Sequence, residues 1–324
     1  MTGSMPTTAT ARGSVLSSRA KKVNEVPFDK VFVIYGKSGT GKTSLAASFP
    51  KTYDAPLYIL DILENGITSI SLEDRENVVI VPIEEFEELD EVLTDFERGF
   101  TIDEFGKKVP IKASTIVIDS ATQLEHLMKR FLMKAEKKDK MNLNLWGQVK
   151  TSHDMLWNAA KYISNKLDVY MVIICHEKDD KDEENPSFNK VVPSLAKSGS
   201  ESLTAKASFV WYTTIETDTK VGAEGKVERV ENFVTYIGPA SYLVTKCRKP
   251  KEISIPQKVK NLTFPRFYKN VMQKIEATIA AGVTKISKIP VYEKASADDE
   301  LSKTTDLSSV DTISASPTTI KDGE

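Results

Sequence analysis

The stretch VIYGKSGTGKTSLAASF, running from Val33 to Phe49, decides how the rest of the chain is read. A short apolar run empties into a loop holding Gly36, Gly39 and Gly41, and small and apolar residues then resume at helical spacing. Gly36, Lys37, Ser38, Gly39, Thr40, Gly41, Lys42 and Thr43 match G-x-x-x-x-G-K-[ST], and a strand before with a helix after is the setting in which that pattern is a phosphate-binding P-loop. Glycines let successive backbone N–H groups turn inward on one anion, and the helix that follows adds its positive end. Lys42 is then placed to reach the β- and γ-phosphates and Thr43 to set its hydroxyl on a metal ion, with Ser44 completing the expected nucleotide contacts. The cofactors this predicts are ATP and Mg2+.

Working outward, the chain has 324 residues, 40% of them hydrophobic, which is enough for a real core without covalent staples. Its two cysteines, Cys175 and Cys247, lie far apart in apolar runs, so neither a disulfide framework nor a thiolate metal site is expected, and a reducing, cytoplasmic compartment fits best. No run approaches the length of a membrane-spanning helix and no apolar leader opens the sequence, which predicts a soluble intracellular protein. A net charge of -2 excludes little, because a basic groove can coexist with acidic surfaces elsewhere. Residues 1–25 and 291–324 are polar and lack an apolar period, so they read as a flexible tail and an acidic disordered tail around one domain at 26–290.

Within that domain apolar runs alternate with amphipathic ones. KVFVIY (30–35), LYIL (57–60), NVVIV (77–81), STIVID (114–119) and DVYMVIIC (168–175) have the continuous Val and Ile content of parallel strands covered on both faces. Between them, Phe86 to Phe100, Ala121 to Ala135 and Leu156 to Leu167 keep a three-and-four spacing. Strand alternating with helix predicts an α/β fold with a mostly parallel sheet flanked by helices. After His176 the pattern changes: SFVWYTTIE (208–216), NFVTYIG (232–238) and SYLVTKC (241–247), with turn signals at 223–225 and 238–240, predict antiparallel strands, and a last helix is expected around 268–281.

Further polar residues fall at strand ends, on the edge where the P-loop lies. Asp119 closes STIVID, where a P-loop site needs a carboxylate for its metal, and Ser120 follows as a helix cap or water ligand. Asp61 and Glu64 come just past the second strand, and either can orient an attacking water; Glu64 is favoured. His176 ends VYMVIIC, where a polar side chain can bond the γ-phosphate and pass its presence to the loop that follows. His126 and His153 fall on helices and read as structural.

In this order, from the P-loop through Glu64, Asp119 and His176 to a long polar segment and then YLVTKCRKP, the chain resembles the RecA-like ATPases. It is most similar to a compact phage-encoded group that consists of little more than the RecA-type core and is linked to recombination and single-strand annealing. The resemblance covers about Val26 to Pro250. It implies a homo-oligomer, ring or filament, in which Lys246 and Arg248 act as fingers on the neighbouring subunit's ATP; two cations at i and i+2 on a strand share a face, although plain surface charge is the simpler reading. It also implies single-stranded DNA as a ligand, through KVVPSLAKSGS (190–200) after His176 and through the lysine-rich segment 129–150 with Trp146, and it allows for a separate single-strand-binding protein. The acidic run EKDDKDEEN (177–185) departs from a simple basic loop and keeps a second reading open, an ATP-dependent switch or loader whose partner is a protein. A small-molecule P-loop kinase ranks third, for want of an arginine-rich lid.

Overall fold

The computed structural model describes residues 29–181, 189–221 and 227–286. The terminal tails, the turn at 223–225 and the end of the acidic run at 182–185 lie outside the described residues.

In chain order the elements are β1 (Val31–Gly36), α1 (Lys42–Ala47), β2 (Leu57–Asp61), β3 (Val78–Pro82), α2 (Phe86–Arg98), the small hairpin β4 (Phe100–Ile102) and β5 (Lys108–Pro110), β6 (Thr115–Asp119), α3 (Ala121–Ala135), α4 (Leu143–Leu167) and β7 (Tyr170–Cys175). There follow β8 (Glu177–Asp180), β9 (Lys190–Pro193), α5 (Lys197–Lys206), β10 (Phe209–Val221), β11 (Val227–Tyr236), β12 (Lys246–Cys247), β13 (Lys258–Lys260), α6 (Phe264–Phe267), a π-helical turn at Tyr268–Met272, and α7 (Gln273–Ile286). The main sheet runs β13-β11-β10-β1-β7-β6-β2-β3, and every pairing from β10 to β3 is parallel.

Every residue of β1 and of β6 is buried, as continuous apolar strands covered on both faces must be. Alternate residues feed two cores. Val33, Tyr35, Ile118, Ile173 and Val210 face α2, α3, α4 and α5, while Phe32, Ile34, Val117, Ile174 and Trp211 face α1 and the C-terminal helices. Phe32 centres the second core, stacked on Phe209 at 4.4 Å and edge-on to Phe49, Trp211, Phe264 and Phe267. Removing a ring so enclosed, as in Phe32→Ala, costs about 3–5 kcal/mol.

This is the α/β architecture expected from the sequence: a mostly parallel sheet flanked by helices with antiparallel strands at its C-terminal end. Several boundaries differ. The helix beginning at Phe86 stops at Arg98 because Gly99 turns left-handed at φ 78°, and Phe100 opens a strand instead. SFVWYTTIE first pairs in parallel with β1 and only from Tyr212 onward in antiparallel with β11. Of SYLVTKC only Lys246 and Cys247 make a strand, while the Val244 N–H turns to the Tyr35 hydroxyl (3.0 Å). Of the polar segment after His176, expected as a loop, the described residues pair β8 with β9 in antiparallel and continue into α5. β8, Glu-Lys-Asp-Asp, lacks the apolar alternation that reveals a strand. Within this segment, Val191 is tied to the core by its carbonyl, which accepts from the Tyr35 hydroxyl (3.0 Å).

Candidate functional site

Gly36 ends β1 so close to β10 that a Cβ there would lie 2.2 Å from the Thr213 carbonyl oxygen, a space no other residue fits. Thr213 also fastens the loop, its hydroxyl lying 2.8 Å from that of Thr40, which itself donates to the Lys37 carbonyl at 2.8 Å. The loop is therefore anchored before any ligand arrives. Lys42 is buried and donates to the Gly36 and Lys37 carbonyls at 3.1 and 2.7 Å. Burial pulls its pKa down, opposed by the negative charges of Asp119 and Glu64. An ammonium held this way in a glycine-rich loop leading into a helix is a receptor for anionic oxygens. Of the other loop residues expected to touch nucleotide, Lys37 reaches toward Glu177 (3.9 Å) and Ser44 donates to the Ser69 carbonyl (2.8 Å).

Beside Lys42, the Thr43 hydroxyl donates to Asp119 Oδ2 at 2.7 Å. Asp119 is 4% exposed, and burial pushes its pKa up to about 6 even though the Thr43 bond works in the opposite direction. A carboxylate that burial discourages from ionising even with Lys42 nearby, paired with a hydroxyl oxygen, is a donor set that fits a hard divalent cation such as Mg2+. The backbone of Gly66 closes over this pair: a Cβ there would sit 3.2 Å from Thr43 Oγ1 and 3.4 Å from Asp119 Oδ2. The sequence reading missed Gly66, because nothing in LENGI indicates which residues its turn will meet.

Glu64 stands across from them. Its Oε1 accepts from Ser120 Oγ at 2.7 Å and from His176 Nε2 at 2.8 Å, and the histidine bond, more than any other influence, holds the carboxyl below the usual glutamate range. Asp61, the alternative base, is buried, and its Oδ1 accepts the backbone N–H groups of Glu64 and Asn65 at 3.3 and 3.2 Å. It folds the turn that presents Glu64. The His176 N–H donates to Thr122 Oγ1 (3.0 Å) and its carbonyl accepts from Ser194 (2.8 Å), so the histidine touches both the start of α3 and the segment behind the hairpin. Ser120 caps α3 by accepting from the Gln123 N–H at 3.3 Å.

The structure thus brings Lys42, Thr43, Asp119, Glu64 and His176 together at one sheet edge. It does not bring Lys246 and Arg248 there. Lys246 pairs with Val210, level with Val33 and well short of the P-loop. Both cations turn to the end of α5, Lys246 to the Thr204 and Ala205 carbonyls (2.9 Å each) and Arg248 to Ala205 (3.1 Å) and to Asp29 (3.2 Å). They share a face, as the spacing predicted, and within their own chain that face caps a helix C-terminus.

The lysine-rich segment 129–150 is mostly helical. Lys129 bonds Glu125 Oε1 at 2.5 Å and lies over the Trp146 ring at 4.7 Å, while Lys134, Lys137, Lys138 and Lys140 are exposed around the turn into α4. His153 is fully buried against Glu125, as a structural histidine is, and His126 is exposed. Both cysteines are free thiols, Cys175 buried and Cys247 half-buried. Among the described residues, no helix is long and apolar enough to cross a membrane.

An anion-receiving loop with a buried lysine, a hydroxyl–carboxylate pair suited to a metal, and a fixed carboxylate facing both define a P-loop ATPase domain. The chain belongs to the AAA domain family, whose model matches residues 29–248. Among solved structures it is similar to the flagellar accessory protein FlaH from Methanocaldococcus jannaschii, at 12% identity over 72% of this chain and 85% of that one, with a TM-score of 0.37. Comparison with curated proteins gives no match.

Proposed function

We propose that the protein binds ATP with Mg2+, hydrolyses it with Glu64 as the residue that orients the attacking water, and couples the state of the nucleotide to single-stranded DNA. The observation that carries this reading is the position of Glu64, held on one oxygen by both Ser120 and His176. Thr43 and Asp119 would hold the metal ion, which when bound would supply charge neutralisation to the phosphates. Lys42 exchanges loop carbonyls for phosphate oxygens. Glu64, kept ionised by His176, accepts the proton of the water on its carboxylate oxygen. His176 and Ser120 then feel the change of charge on Glu64, one at the root of the β8–β9 hairpin and the other at the cap of α3.

The far end of α3 leads into the exposed Lys134, Lys137, Lys138 and Lys140, with Trp146 beyond, and these are the residues proposed to meet single-stranded DNA. A role in phage DNA recombination or replication, in a cytoplasmic ring or filament and beside a single-strand-binding protein, is the biological setting this reading takes from the sequence resemblance. In such an assembly Lys246 and Arg248 exchange the α5 carbonyls for a neighbour's nucleotide. Mixing Arg248→Ala with Lys42→Ala subunits then restores part of the activity, and no rescue refutes the trans role.

One observation favours a protein partner instead. The hairpin next to His176 opens with Glu177, Asp179 and Asp180, which repel a polyanion. ATP hydrolysis with and without single-stranded DNA, using Lys42→Ala as the blank, separates the two. Stimulation that weakens with salt and vanishes in the variant supports DNA coupling, whereas ATP binding with no response to DNA assigns the site to a protein-directed switch.

A further inference from the structure

The phosphate-binding groups account for one end of a nucleotide only. Asp119, Glu64 and His176 stand at the ends of β6, β2 and β7, all on one side of the P-loop strand in the sheet order. A nucleoside triphosphate laid along the loop with its γ-phosphate toward Glu64 therefore carries its base to the other side, where β10 and β11 lie.

These two strands continue past the sheet edge as a ribbon. Cross-strand pairs Thr213–Thr235 and Ile215–Phe233 share one of its faces, and Thr213 fixes that face to the P-loop through Thr40. The Phe233 ring lies against the loop itself: a Cβ on Gly41, whose φ of 80° already favours glycine, would be 3.3 Å from Phe233 Cδ1 and 3.6 Å from Cε1. Its backbone is held from the other side, with the carbonyl accepting the Asn261 N–H at 2.7 Å and the next residue, Val234, paired with Lys260 of β13. Even so, Phe233 is 49% exposed and Ile215 39%. A rigid phenyl ring with half its surface in water, beside a phosphate-binding loop and on the side the nucleoside must take, is placed to receive a planar base.

We propose that Phe233, backed by Ile215, is the stacking platform for the purine base of the bound nucleotide. The inference rests on the P-loop binding a nucleoside triphosphate, as proposed above, and adds the half of the ligand that the loop motif does not address. Neither side chain carries a hydrogen-bonding group, so the platform supplies affinity through ring overlap and leaves discrimination between bases to other contacts.

The test compares ATP with inorganic triphosphate, which has the same phosphates and no base, both measured with Mg2+ on the full chain. Phe233→Ala is expected to weaken ATP by about 5- to 150-fold, the range for loss of one base–aromatic stack, and to leave inorganic triphosphate unchanged. Phe233→Trp is expected to keep ATP affinity, and its added fluorescence to change with ATP and not with triphosphate. An equal loss of both ligands in Phe233→Ala overturns the proposal by making the ring a prop for Gly41, and so does full ATP affinity in Phe233→Leu, which shows that an aromatic ring is not needed. Wild-type protein that binds triphosphate and ATP equally well overturns the platform while leaving the P-loop reading intact; failure to bind either removes both.

Discussion

Two glutamate–histidine pairs of almost the same length sit in this domain, and they have opposite surroundings. Glu64 meets His176 at 2.8 Å with side chains 20% and 27% exposed, whereas Glu125 meets His153 at 2.9 Å with 7% and 0%. Glu125 is saturated: besides His153 it takes Lys129 at 2.5 Å and the Ala196 N–H at 2.5 Å, and the His153 ring is sealed by Trp157, stacked at 5.5 Å, and by Gly199, where a Cβ would come within 2.7 Å. Burial pushes the Glu125 carboxyl up, and the bonds from His153, Lys129 and Ala196 together outweigh it and hold the pKa at about 2. The pair joins α3, α4 and the start of α5, and it is a fixed joint. Glu64 lies instead on the open edge beside Thr43 and Asp119, where a substrate can reach it. The chemistry of a Glu–His pair does not by itself mark a catalytic site; access and a neighbouring unmet charge do.

If that distinction holds, removing the charge from each pair has a different readout. Glu64→Gln is expected to lower ATP turnover by about 10²–10⁴-fold, the usual share of a general base, with thermal unfolding unchanged and ATP still bound; equilibrium nucleotide binding and steady-state hydrolysis check both halves. Glu125→Gln is expected to cost about 3–5 kcal/mol of folding stability, because the largely buried Lys129 ammonium loses its counter-charge, and denaturant unfolding measures it. Glu125→Gln protein that remains folded should retain its ATP affinity.

Acid sharpens the same contrast. Because the Glu125 pKa is depressed in the folded protein, its contribution is present in full above the ordinary glutamate value near 4.5 and is lost as pH falls toward about 2. The melting temperature should therefore fall across that window in the wild type and less steeply in Glu125→Gln. The smallest effect belongs to Ser120→Ala, which removes both the cap of α3 and one bond to Glu64. Loss of the cap costs about 0.5–2 kcal/mol, read by thermal unfolding, and turnover should fall less than in Glu64→Gln.

What the sequence revealed follows the same divide. The P-loop is eight contiguous residues, so its geometry is local and could be read directly. Asp119, Glu64 and His176 were legible because strands in a parallel sheet end on a common edge, and polar residues at those ends converge. Glu125 and Phe233 were not, since each owes its setting to a segment far along the chain, His153 and Ala196 around the one and Gly41 beneath the other. The hairpin after His176 was hidden by the polarity of its first strand, β8. Lys246 and Arg248 were correctly read as sharing a face, yet neither spacing nor charge reveals that the face meets the α5 carbonyls within their own chain.

The most direct test of the account is ATP turnover by wild type, Lys42→Ala, Glu64→Gln and Glu125→Gln measured side by side with Mg2+ at neutral pH. The account predicts hydrolysis in the wild type and in whatever fraction of Glu125→Gln is folded, no nucleotide binding in Lys42→Ala, and bound but unhydrolysed ATP in Glu64→Gln. Turnover in Glu64→Gln at the wild-type rate would contradict it, and would mean that the carboxylate between Ser120 and His176 is as structural as the one beside His153.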